Sequence, residues 1–178
     1  MPGEVGGLAP AEGTMKRLRL ATAWLSGCSG CHMSLLNLHS GLLDLLGNYD
    51  LVYSPFIDIK EFPQGVDIAL IEGAVSTQEN LEMVRFIRER TRIVASLGDC
   101  AVNGNVTALR NPLGKKAVLD CAYARQNIQA SDFGAAVSTL LNSVRPLHQV
   151  IRVDAFIPGC PPEPDQIRSV LKQLAIRL

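Results

Sequence analysis

The chain has 178 residues, 17 Lys+Arg balanced by 17 Asp+Glu, and 5 cysteines. That length suits one domain of ordinary size. The balance of charge excludes a protein held on nucleic acid or anionic lipid by bulk charge, and no apolar run approaches the ~18 residues of a membrane span.

Charged residues make up only 19%, against a usual share of about 25%. Part of the apolar surface is therefore expected to lie against a partner subunit. Residues 1–14, MPGEVGGLAPAEGT, are small, carry Gly and Pro, and show no periodicity. Such a composition reads as a flexible arm preceding a domain over 15–178. Lys16-Arg17, an apolar stretch and then LSGC at 25–28 have the outline of a lipoprotein export signal. Its apolar part, 20–25, is shorter than the ~7–15 residues such a signal uses. The expected compartment is therefore the reducing cytoplasm, and disulfides are not expected.

Residues 18–25 read as a strand, followed by a Gly/Ser/Cys turn and a Leu-rich helix over about 31–46 that stops near Gly47-Asn48. A short strand follows at 51–53. The apolar run VDIALI at 66–71 has the pattern of a buried strand, and Glu72-Gly73 leads from it to a helix over 77–90. TRIVASL at 91–97 is another such strand, ending in Gly98-Asp99-Cys100. The segment 101–130 carries no firm element. Phe133, Ala136, Val137, Leu140, Leu141 and Val144 share one helical face, which predicts a helix there. A last strand is expected over 150–157, ending in PGCPP, and a last helix through Ile167, Leu171, Leu174 and Leu178. Strands alternating with helices predict an α/β fold: a doubly wound parallel sheet in three layers.

In such a sheet, ligands bind beyond the carboxyl ends of the strands. Cys28 and Cys31 follow the first strand, Cys100 the VASL strand and Cys160 the last one. Four of the five cysteines thus converge on one edge from distant parts of the sequence. Zinc and iron–sulfur clusters both take four cysteines. One pair joined by two singletons, with Pro161 directly after Cys160, favours a cluster. Two other readings share the first pair. Cys28-Ser29-Gly30-Cys31-His32 is a C-x-x-C-H sequence of the haem-attachment type, and a strand followed by C-x-x-C also suits a thiol-disulfide enzyme. Both leave Cys100 and Cys160 without a role. A flavin would use the same sheet edge. Cys121, in LDCAYAR, reads as a buried or spare thiol. His32 adjoins a ligand, and Glu72 ends a buried strand at the same edge, where a carboxylate needs hydrogen bonds; both are candidate supporting residues. His39 and His148 read as ordinary surface or packing residues. Arg85, Arg88, Arg90 and Arg92 read as a solvated helix face.

WLSGCSGCHMSLL (24–36), DIALIEGAVST (67–77), GDCAVNG (98–104) and IPGCPPEPDQI (157–167) together resemble the small subunit of [NiFe] hydrogenases. The likeness is greatest to the short form found in cytoplasmic, bidirectional, NAD-linked enzymes, and it extends over about residues 18–178. It implies a flavodoxin-like fold and one proximal [4Fe-4S] cluster on Cys28, Cys31, Cys100 and Cys160. It also implies a large subunit bearing the nickel–iron centre, and diaphorase subunits bearing FMN and further clusters. No catalytic residue is implied on this chain. Longer family members carry an export signal and an extension with two more clusters. This chain has 18 residues after its last ligand, so a single cluster is expected. The related subunit of respiratory complex I has adjacent cysteines where C-x-x-C stands here, which leaves a complex I-like role as the alternative.

Overall fold

A computed structural model describes residues 17–123 and 138–178; the arm at 1–14 lies outside them. Five strands form a parallel sheet in the order β2-β1-β3-β5-β7. These are β1 (Leu18–Trp24), β2 (Tyr49–Tyr53), β3 (Val66–Glu72), β5 (Thr91–Leu97) and β7 (Ala155–Ile157). Counting only these five, the order is the 2-1-3-4-5 of flavodoxin-like folds. The central strand β3 carries the run that is apolar on both faces, as a strand covered on both sides must be.

Helices α1 (Gly30–Leu36), α2 (Ser40–Asn48) and α7 (Pro164–Ile176) cover one face of the sheet. Their core contains Leu20, Leu35, Leu45, Ile68, Leu70, Leu97, Ile167 and Leu171. Helices α3 (Gln78–Arg90) and α4 (Asp99–Asn103) lie on the other face, over Ala21, Ala69, Ile71, Val84, Ile87, Val94 and Ala101. Alternate residues of β1 and β3 thus feed opposite layers, and the three-layer expectation holds. At the N-terminus of α3 the Thr77 hydroxyl accepts from the Asn80 N–H at 3.1 Å, an ordinary cap.

Three expectations are corrected. The Leu-rich segment is two helices, because the chain turns at Asn37–His39 and His39 adopts φ 50°. Leucines continue on both sides of that turn, so their spacing does not reveal it. The helix expected over 133–144 is contradicted where it is described: Leu140–Arg145 is strand β6, antiparallel to β4 (Val75–Thr77). Residues 133–137 lie outside the described residues. Among the described residues, the far edge of β6 is met by a side chain. The Asn111 amide accepts from the Val144 N–H at 2.7 Å and donates to the Val144 carbonyl at 2.9 Å. Long-range pairing of this kind overrides a local helical period.

The strand expected over 150–157 is confined to 155–157. Just before it, the Asp154 carboxylate accepts the Val94 N–H at 2.9 Å and so substitutes for a ladder partner. The unassigned segment after Cys100 holds α4, α5 (Asn105–Ala108), a 3-10 turn at Asn111–Leu113 and α6 (Lys115–Tyr123), each too short to show a period. Among the described residues no helix is long and apolar enough to cross a membrane.

Candidate metal centre

Three turns at the carboxyl ends of β1, β5 and β7 carry the four predicted cysteines. The turn after β1 is joined to the end of β3. Leu25 N–H donates to the Glu72 carbonyl at 2.9 Å, and Ser26 and Ala74 exchange backbone hydrogen bonds at 3.2 and 2.9 Å. The turns after β5 and β7 clasp each other. Gly98 N–H donates to the Ile157 carbonyl at 2.8 Å, Asp99 N–H to the Gly159 carbonyl at 2.9 Å, and Gly159 N–H to Asp99 Oδ1 at 2.7 Å. The Ser34 hydroxyl on α1 donates to the Pro162 carbonyl, closing the ring of contacts. Cys28 and Cys160 are exposed, Cys100 is half-buried and Cys31 is buried.

The thiols act on one another. Burial first, then the Glu72 charge and the nearby Cys100, Cys28 and Cys160, push the Cys31 thiol up to about 12. Cys100 is also raised, by burial first and then by Cys160 and Cys28, with the Thr107 hydroxyl pulling the other way. Thiolates crowded like this oppose one another's ionisation unless cations lie between them. Space for the Cys31 sulfur exists only because residue 98 is glycine: a Cβ there would lie 2.2 Å from Cys31 Sγ. Among the described residues no three His, Cys, Asp or Glu side chains close on a point as a single ion would require.

Glu72 and His32 lie directly behind this edge. The Glu72 carboxylate is 2% exposed. It accepts from the His32 N–H at 2.9 Å and the Cys31 N–H at 3.4 Å, and it meets His32 Nδ1. His32 Nε2 lies 3.0 Å from Thr22 Oγ1, which lies 2.8 Å from Ser54 Oγ.

Cys121 stands apart on α6, exposed. His148 is exposed and packs edge-on to Phe156. Three of the four arginines near α3 are engaged: Arg88 with Asp154, Arg92 with Asp67, and Arg90 over the Phe86 ring. Sequence reasoning did not single out Gly98, Asp99, Thr22 or Ser54. The sequence Gly-Asp-Cys at a strand end was a signal for the first two. Nothing marked Thr22 or Ser54, because one hydroxyl in a strand and another in a loop have no pattern.

A family model described as NADH ubiquinone oxidoreductase, 20 Kd subunit, matches residues 28–174. The chain belongs to this family. Proteins similar to the chain include hydrogenase subunits. The NAD-reducing hydrogenase HoxS subunit delta of Cupriavidus necator is 38% identical over 164 residues, covering 89% of this chain and 78% of the relative. A vhu subunit of the F420-non-reducing hydrogenase of Methanocaldococcus jannaschii is 38% identical over 150 residues, covering 83% of this chain and 52% of the relative. The chain thus spans about half the length of that relative and of several others. A crystal structure of NAD+-reducing [NiFe]-hydrogenase in the H2-reduced state superimposes with a TM-score of 0.83 at 36% identity, covering 90% of this chain and 92% of that one. These likenesses bear out the resemblance carried by the four motifs, and they do not favour the complex I-like alternative.

Proposed function

We propose that this chain is the electron-transfer small subunit of an NAD-reducing [NiFe] hydrogenase, and that Cys28, Cys31, Cys100 and Cys160 hold its proximal [4Fe-4S] cluster. The observation that carries this reading is the convergence of four cysteines from three strand-end turns, near enough that Cys28, Cys100 and Cys160 help push the Cys31 thiol up and Cys160 and Cys28 do the same to Cys100. A cluster suits that set better than zinc, because each sulfur binds a different iron and the sulfurs need not close on one point. A bound cluster supplies one-electron transfer between the nickel–iron site of a large subunit and the flavin of a diaphorase module.

The chain's own residues position and insulate. Asp99 fixes the Cys100 turn against the Cys160 turn, Glu72 holds the amides of Cys31 and His32, and Gly98 leaves room for the Cys31 sulfur. Trp24, Met33 and Phe56 are large, apolar and exposed. They lie on or next to elements of the site, on a surface suited to a partner subunit. No residue here is assigned acid–base work on substrate, and the compartment is the cytoplasm.

Anaerobic purification with iron, sulfide, zinc and flavin analysis tests the proposal. About four irons and four sulfides per chain, lost in Cys100→Ser and Cys160→Ser together with H2-dependent NAD+ reduction by the complex, support it. Zinc without iron refutes it. So does dithiol chemistry that survives both changes in a protein lacking iron.

A further inference from the structure

Four polar side chains cross the apolar layer between the sheet and α1. Thr22, His32, Ser54 and Glu72 are exposed by only 1%, 1%, 3% and 2%. Polar groups buried so deeply are costly unless they bond one another, and these do, in the order Glu72, His32, Thr22, Ser54. A carboxylate only accepts, so His32 Nδ1 carries the proton that faces it. The other ring nitrogen is held by Thr22, and Phe56 packs edge-on to the imidazole at 5.4 Å between ring centres. The imidazole is therefore held on several sides, with its donor aimed at one target. That target is the carboxylate that takes up the N–H groups of Cys31 and His32.

We propose that His32 is a positioning residue for the redox centre. Acting through Glu72, it pins the carboxylate on the amides of the Cys31 turn, offsets its charge, and thereby helps set the centre's reduction potential. The inference rests on the cluster reading above. Charges and N–H groups around the sulfurs are the levers by which a protein sets such potentials. A carboxylate beside Cys31 opposes the added electron, and a donor on that carboxylate softens the opposition.

The test uses the anaerobically purified complex and a redox titration of the low-temperature EPR signal that disappears in Cys160→Ser. His32→Asn places an amide nitrogen where Nδ1 stands; His32→Gln places one where Nε2 stands and leaves Glu72 without its donor. With iron and sulfide content retained, His32→Gln is expected to lower the reduced-to-oxidised ratio at a fixed potential by about threefold or more. His32→Asn restores it, and Glu72→Gln raises it. In the Glu72→Gln background, His32→Gln adds no further shift.

A His32→Gln cluster titrating like the wild type overturns the proposal, as does a shift of undiminished size in that background. If His32→Gln loses its iron, Glu72→Gln and His32→Asn decide: a Glu72→Gln potential at or below the wild-type value, or a His32→Asn potential unlike it, overturns the proposal. Wild-type protein without iron or sulfide refutes the cluster reading itself, a different result from an iron-loaded protein indifferent to His32.

Discussion

Gly98 and Gly114 form a natural pair of probes for the metal centre. Gly98 has φ 81° and ψ 163°, and Gly114 has φ 78° and ψ 154°. Alanine at either position incurs the same backbone strain, about 1–3 kcal/mol in this glycine-only region. The surroundings differ. A Cβ at 114 meets nothing within 4 Å, whereas one at 98 lies 2.2 Å from Cys31 Sγ. Ordinary contact needs about 3.5–4.0 Å, so the sulfur must retreat by more than about 1 Å. Ligand distances in a working metal site hold to about 0.2 Å. Both variants should therefore melt about 4–8 °C early for a cost of about 2 kcal/mol. Only Gly98→Ala should lose iron. Thermal melting and iron and sulfide analysis after anaerobic purification measure the two effects separately. Equal iron content in the two variants would refute the argument that the Cys31 sulfur is seated against residue 98.

Cys121→Ser, on exposed α6, should keep full iron content and an unchanged absorption spectrum, in contrast to any of the other four cysteines. In metal-free protein, iodoacetamide at mildly alkaline pH should label exposed Cys28, Cys121 and Cys160 well before Cys31, whose thiol ionises only near 12; peptide mass analysis gives the order. Since native Cys31 keeps its proton longer than the unfolded thiol, metal-free protein should lose stability as pH rises from about 9 toward 12.

Asp154 carries the opposite sign. Burial raises its carboxyl, but the Val94 N–H, Arg88 and Arg152 outweigh that, so it titrates below the ordinary range. Its contribution is present above the unfolded value of about 3.9 and fades as pH falls through the lower native one. Asp154→Asn should cost about 1.5–3 kcal/mol in urea unfolding at pH 7, and the gap from wild type should narrow in acid. A gap constant from pH 7 to pH 3 would refute that account.

The main sheet was legible because its strands are fully buried. VDIALI and TRIVASL can be apolar on both sides only inside a covered parallel sheet, and each ends at a ligand-bearing or ligand-supporting turn. The cysteine edge was legible for the same reason, since strand ends in this fold share one side. β6 was not legible. Leu140, Leu141 and Val144 fit a helical face as well as a strand, and what decides between them is β4, far away in sequence, together with the Asn111 amide. The break at His39 was hidden by leucines on both sides. The chain from Glu72 to Ser54 joins residues of four separate segments, each ordinary where it stands. Only the fold shows that they touch.

The clasp between Asp99 and Gly159 ties the middle of the polypeptide to its last strand. A nascent chain still lacking β7 offers three of the four sulfurs, and the Cys100 turn lacks its three hydrogen bonds with Ile157 and Gly159. On the proposed reading, loading with iron waits until synthesis has passed Cys160, so maturation follows folding and a truncated product cannot masquerade as a finished relay.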